Sequence, residues 1–268
     1  MAELPTLKNA ALALDGRVAT LTFQRDDVRN ALTGTELTAD IVATLDWANT
    51  CANLSVLIMT GEGSAFSAGG NIKNMPARAK ESPHILAQYY KYGVQRIPVA
   101  MQAVEIPIIA AVNGPAIGAG FDLANMCDIR VGSTNAQFGE TFANLGLIAG
   151  DGGGWYLQRL IGYQRAAELT FTGRIVKAEE AKTLGILLEI TEPDALLPRV
   201  KEMAAKMATK PPLALRYAKR LLKLAQQQGL NEHLDTCSSF QALCQKSEDH
   251  TEALAAFFEK RAGVFKGR

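Results

Sequence analysis

The chain has 268 residues, 48% of them hydrophobic and 21% charged, with a formal net charge of +1. Such a composition supports a large apolar core, and the near balance of charge leaves no electrostatic footprint for nucleic acid or a membrane surface. Four cysteines in this length are too few for a disulfide scaffold, and the longest apolar runs, near 106–112, fall well short of a bilayer span.

The N-terminal Met1-Ala2-Glu3-Leu4-Pro5 has no basic region leading into an apolar one, so a cytoplasmic protein is expected. Residues 11–14 and 18–23 flank Asp15-Gly16 and predict a β-hairpin. Residues 31–48 have helical spacing, with Thr33 or Thr35 as candidate caps. A buried strand over 56–60 ends at Gly61, a helix follows over 87–103, then a strand over 108–112 and a helix over 121–127. Short strands are expected at 129–133 and 136–139. Strands alternating with helices predict βαβ units and a mostly parallel sheet, hence an α/β fold. From Gly154 the pattern is mainly helical, over 155–160, 165–170, 178–184 and 196–208; after Lys210-Pro211-Pro212 come 213–227 and a long amphipathic stretch over 231–258. The chain therefore divides into an α/β core, 1–200, and a helical C-terminal region, 201–268.

Several chemistries lack their signatures. The three histidines, His84, His233 and His250, have no paired metal spacing, the cysteines lack zinc-finger spacing, and no Gly-x-Ser-x-Gly elbow occurs. Gly118-Ala119-Gly120 begins like a dinucleotide fingerprint, but Leu123 stands at the third glycine position. The informative stretch is 108–123, an apolar β-branched run that breaks into Asn113-Gly114-Pro115, then Gly118-Ala119-Gly120, then a helical pattern bearing Asp122. Small residues let a ligand approach backbone N–H groups, and a helix N-terminus makes those groups electropositive. A second small-residue turn, Ala65-Phe66-Ser67-Ala68-Gly69-Gly70-Asn71-Ile72-Lys73, follows the 56–60 strand. Each turn could offer one N–H to the same oxygen, which is the physical content of an oxyanion hole.

Taken together, four segments resemble the crotonase (enoyl-CoA hydratase/isomerase) superfamily: Phe23-Gln24-Arg25 through Arg29-Asn30-Ala31-Leu32; 65–75; 109–128 with Ala136-Gln137-Phe138-Gly139; and 145–162. The ending, 256–268, is also typical. The resemblance implies a spiral of ββα turns with a helical C-terminal trimerisation region, assembled as a homotrimer or a dimer of trimers. It also implies chemistry on an acyl-CoA thioester, with coenzyme A carried as part of the substrate and no separate cofactor or metal. By position, the oxyanion N–H groups fall on Gly70 and Ala119. Arg29 and Lys73 fall where the family contacts the CoA phosphates or holds the adenine end, and Ala31, Ala68, Asn71 and Ile72 fall along the same CoA-binding surface. Residues 75–96 stand where a variable helical wall lines the acyl pocket, with Tyr89, Tyr90 and Tyr92 as candidate lining.

The hydratases of that family use two glutamates, and this chain departs from both. Asp122 holds the first position and is shorter by one C–C bond, about 1.5 Å. Phe142 holds the second and cannot titrate. Glu140 and Asp151 are the nearby acids, so the expected catalytic set is Asp122 with Glu140 or Asp151; Asp151 could instead cap a helix. Hydration of a 2-enoyl-CoA is the leading expectation. Isomerisation of 3-enoyl-CoA to 2-enoyl-CoA, which needs one acid, and a catalytically weak CoA-ester-binding protein are the alternatives.

Overall fold

The computed structural model describes residues 3–268; Met1 and Ala2, part of the N-terminal segment read for a targeting signal, lie outside the described residues. The chain opens with β1 (Ala10–Asp15) and β2 (Val18–Phe23), the antiparallel hairpin turned by Gly16 at φ +57°. After α1 (Leu37–Thr50) comes β3 (Val56–Gly61), then three helices, α2 (Met75–Arg78), α3 (Pro83–Tyr92) and α4 (Arg96–Ala103). Next are β4 (Ile108–Val112), β5 (Pro115–Ile117), α5 (Ala119–Met126), β6 (Ile129–Ser133) and β7 (Gln137–Gly139). The remainder comprises α6 (Gly153–Ile161), α7 (Tyr163–Thr172), β8 (Val176–Lys177), α8 (Ala178–Leu184), β9 (Glu189–Thr191), α9 (Pro193–Ala208), α10 (Pro212–Leu224), α11 (Leu230–Gln245) and α12 (Glu248–Glu259).

The main sheet runs β1-β2-β3-β4-β6-β9 and is parallel from β2 onward; a smaller sheet runs β5-β7-β8. Both faces of the main sheet are covered, which is why its central strands read as continuous apolar runs. Period two still sorts them. Leu57, Met59, Ile108, Ala110 and Val112 face one core with α1, α4 and α5, while Val56, Ile58, Ile109 and Ala111 face a second core closed by Leu196, Val200 and Ala204 of α9. Val200, at the sequence-based division between core and helical region, is itself fully buried against the sheet.

Three helices and three strands differ from the sequence expectation. The helix expected from Ala31 begins only at Leu37, because Gly34 takes φ +78° and breaks the preceding turn. Thr35 Oγ1 accepts from the Leu37 N–H, as an initiating residue should, but Thr33 Oγ1 accepts from Asn71 N–H in the opposite loop. The helix expected over 87–103 is two, separated at Gly93, where a Cβ would press on the Tyr89 carbonyl. The amphipathic stretch 231–258 is also two helices, α11 and α12, the second capped by Ser247 accepting from His250 N–H. Strands β5, β8 and β9, each of two or three residues, are too short for alternation to announce them.

Candidate active site

The site lies where the two small-residue turns meet. Ser67 bridges Ala116 of β5 in parallel, with Ser67 N–H donating to the Pro115 carbonyl at 3.2 Å and Ile117 N–H donating to the Ser67 carbonyl at 3.0 Å. Glycines permit this closeness. A Cβ at Gly120 would collide with the Ser67 carbonyl, and one at Gly114 would lie 2.5 Å from the Ser64 carbonyl oxygen. Gly69, at φ +74°, is the tightest joint: a Cβ there would strike the Ile117 carbonyl and stand 2.8 Å from the Ala119 nitrogen. The turn bearing Gly70 is thus seated directly on the start of α5. Its neighbours are tied, Gly69 N–H to Ser67 Oγ and Asn71 N–H to Thr33 Oγ1. The Gly70 N–H donates to nothing among the described residues. Ala119 is the first residue of α5, where an N–H has no acceptor within the helix. Two expected donors therefore stand side by side with free N–H groups, beside the positive end of a buried helix.

The acids converge on the same place. Gly118 N–H donates to the Gly139 carbonyl at 2.8 Å as β5 and β7 pair, and this sets Glu140 beside the first turn of α5. Asp122 projects from that turn against the start of α6, where a Cβ on Gly153 would fall into its carboxylate. Asp151 sits two residues ahead of α6. Asp122, Glu140 and Asp151 are 0%, 2% and 4% exposed, and among the described residues no cation pairs with any of them. Both oxygens of Asp122 and of Glu140, and Oδ1 of Asp151, find no conventional donor. Their partners are one another: Asp122 is within hydrogen-bonding reach of both Asp151 and Glu140, and each such contact needs a proton on one of the two carboxyls. Burial, then the Asp151 and Glu140 charges, holds Asp122 well above the ordinary carboxylate range. Burial pushes Glu140 up to about 7 and also raises Asp151. At neutral pH the cluster therefore holds both acid and base forms and titrates as a unit.

The structure brings together all three expected acids and both expected N–H donors. Asp151 caps no helix; Gly152, at φ +114°, is the N-cap of α6 and Asp151 turns inward instead. Phe142 packs its ring on Gly118, 3.4 Å from where a Cβ would stand, so an apolar wall occupies the second glutamate position. Among the expected CoA contacts, the Ala68 N–H donates to the Arg29 carbonyl and the Leu32 N–H to the Gly69 carbonyl, which gathers Arg29, Ala31 and Ala68 beside Gly70. Asn71 Oδ1 accepts from Lys73 N–H. The side chains of Arg29, Ile72 and Lys73 face solvent, whereas Ala31 is buried. Of the three tyrosines, Tyr90 lies on Gly150 beside Asp151, Tyr89 packs against Tyr90 beneath the Arg78 guanidinium, and Tyr92 is 68% exposed.

Sequence reasoning missed three polar side chains here. Thr33 holds the Gly70 turn; its signal was hydroxyl chemistry before Gly34, read as a cap. Gln95 Nε2 donates to the Gly150 carbonyl at 2.6 Å, a contact with no local signature. Asn125, one helical turn beyond Asp122, is 7% exposed with its amide unpartnered, and an Asn inside an otherwise apolar helix was the available clue.

Comparison with known proteins bears on what this arrangement serves. The family model described as "Enoyl-CoA hydratase/isomerase" matches residues 14–268. The short-chain-enoyl-CoA hydratase of Clostridium acetobutylicum is 35% identical over 266 residues, covering 95% of this chain and 96% of that protein. The 2,3-dehydroadipyl-CoA hydratase of Escherichia coli is 34% identical over 252 residues, covering 94% and 96%. A crystal structure of a putative enoyl-CoA hydratase from Streptomyces coelicolor superposes with a TM-score of 0.91 at 31% identity, covering 100% of this chain and 98% of that one. The expected crotonase-type α/β fold with a helical C-terminal region is therefore the observed one.

Proposed function

Because this chain belongs to the enoyl-CoA hydratase/isomerase family, we propose that it adds water across the double bond of a 2-enoyl-CoA thioester. The observation that carries this reading is the joining of two unfilled backbone N–H groups to a buried, proton-sharing carboxyl cluster within one turn of α5. Addition of water at C3 drives electrons onto the thioester oxygen. Gly70 and Ala119 N–H groups, preorganised by the Ser67–Ala116 bridge and the close seat of Gly69, hold that charge. Removing one such donor typically costs about 2.7–4 kcal/mol of transition-state stabilisation. The ionised member of the cluster takes the proton of the attacking water, and the protonated member delivers one to C2. Asp122 is central because both other acids reach it, and Glu140 or Asp151 is its partner. One carboxyl set serves as both acid and base because shared protons split its apparent pKa values.

Arg29 and Lys73, exposed on either side of the Gly70 turn, suit the phosphates of coenzyme A, which enters with the acyl group; no separate cofactor is invoked. Exposed Leu230, Leu234, Leu243, Leu254, Phe257 and Phe258 on the C-terminal helices suit burial in a homotrimer or a dimer of trimers. No described helix is long and apolar enough to cross a membrane.

A specific observation supports double-bond migration as a second reading. Glu140, Asp122 and Asp151 form an unbroken chain of carboxyls, able to take a proton from one carbon and return it to another, while Phe142 leaves an apolar surface where water would be held. Purified protein incubated with 2-enoyl-CoA and with 3-enoyl-CoA separates the two. Water addition supports hydration. Migration with deuterium uptake at the acyl carbons supports isomerisation, and tight binding of both esters without turnover sinks both.

A further inference from the structure

The loop that carries Asp151 has few ties of its own. Ile148 is 81% exposed, Gly150 N–H donates only within the loop to the Ile148 carbonyl, and Gly152 needs a left-handed backbone. Among the described residues, the bond from Gln95 Nε2 to the Gly150 carbonyl, at 2.6 Å, is the one hydrogen bond joining residues 148–151 to a separate element, apart from the carboxyl contacts of Asp151 itself. Gln95 is well suited to hold something still. Its neighbours Val94 and Ile97 are 5% and 1% exposed within the main core, and its own N–H donates to the Tyr90 carbonyl at 3.1 Å. The Tyr90 ring closes the other side of Gly150, 3.3 Å from where a Cβ would stand. The peptide unit immediately before Asp151 is therefore clamped between the side chains of Tyr90, near the end of α3, and Gln95, just ahead of α4.

We infer that Gln95 is a positioning residue for the reaction, latching the Gly150 carbonyl so that the Asp151 carboxyl stays buried against Asp122. The inference rests on the reading of the carboxyl cluster as the acid–base centre. Its physical basis is that a flexible loop bearing a catalytic group must be fixed from outside, and a shift of about 1 Å in such a group can cost about 100-fold in rate. The same latch ties the acid to α3 through the Gln95 N–H bond to the Tyr90 carbonyl.

The test uses the full chain with Gln95→Met, which keeps the length and deletes the donor, and Gln95→Lys, which keeps an N–H donor at similar reach. With Gln95→Met, kcat for 2-enoyl-CoA falls about 10- to 100-fold while KM stays within about twofold; Gln95→Lys recovers most of the loss. In parallel, the aspartate carboxyls of the unliganded protein are titrated by 13C NMR. Release of the loop hydrates Asp151, so in Gln95→Met its midpoint falls toward the ordinary aspartate range. That readout requires no turnover. Absence of hydration and isomerisation in the wild type overturns the functional reading, whereas an unmoved Asp151 midpoint overturns the latch. A wild-type kcat in Gln95→Met, or a loss in Gln95→Lys as deep as in Gln95→Met, also overturns it.

Discussion

Replacing Glu140 by Gln should make the protein more stable at alkaline pH while impairing its chemistry. Glu140 is 2% exposed, makes no conventional hydrogen bond and faces Asp122 and Asp151, and burial lifts it from 4.5 to about 7. A carboxyl whose folded value is raised binds its proton more tightly in the native state than in the unfolded chain. Its favourable contribution is complete below about 4.5 and is lost as pH rises through about 7. At about 1.4 kcal/mol per pH unit, the rise corresponds to about 3 kcal/mol of stability lost between those limits. An amide cannot ionise, so Glu140→Gln removes this loss and also supplies an N–H donor to the unpartnered Asp122 oxygens. Urea unfolding followed by circular dichroism at fixed protein concentration should give similar midpoints for wild type and variant near pH 4.5. At pH 8.5 the variant should be more stable by about 1–3 kcal/mol, the lower end allowing for proton sharing within the cluster. Parallel pH curves, or a variant less stable at pH 8.5 than at 4.5 by as much as the wild type, would refute the reasoning.

Asp122→Asn should fold and bind acyl-CoA but lose about 100- to 10,000-fold in kcat, read by steady-state turnover of 2-enoyl-CoA; full activity would remove Asp122 from the mechanism. Gly153→Ala should lower kcat with little change in KM, because the new methyl falls on the Asp122 carboxylate and displaces it; a crystal structure with Asp122 unmoved would contradict the account. Arg29→Ala and Lys73→Ala should each raise KM with kcat nearly unchanged, since exposed charges beside the Gly70 turn contribute binding rather than chemistry. Their effect should shrink with added salt, as measured by isothermal titration with free coenzyme A.

The two glycine-rich turns were legible early because their requirements are local. Two apolar strands, each running into a glycine-rich turn, advertise exposed N–H groups whatever else the chain does, and the family resemblance then pointed to Gly70 and Ala119 as the donors. The hairpin at Asp15-Gly16, the parallel alternation and the helical tail follow from the same short-range rules. Helix limits were less legible, since Gly34 and Gly93 interrupt helical spacing by backbone conformation and close contact rather than by hydrophobic pattern.

What the sequence determined by itself was an α/β chain with two glycine-rich strand-to-helix turns and three acids, Asp122, Glu140 and Asp151, within a stretch of the chain that follows them. It could not choose among those acids, because an acid's role depends on its neighbours and its solvation. Tertiary structure supplies both. Pairing of β5 with β7 sets Glu140 beside α5, and the glycine seat at the start of α6 swings Asp151 inward to meet Asp122. Closure of the helices then excludes water from all three, so that carboxyls with ordinary intrinsic acidity come to share protons at neutral pH. Burial and like-charge proximity are sums over atoms distant in the chain, and no local pattern of residues carries them.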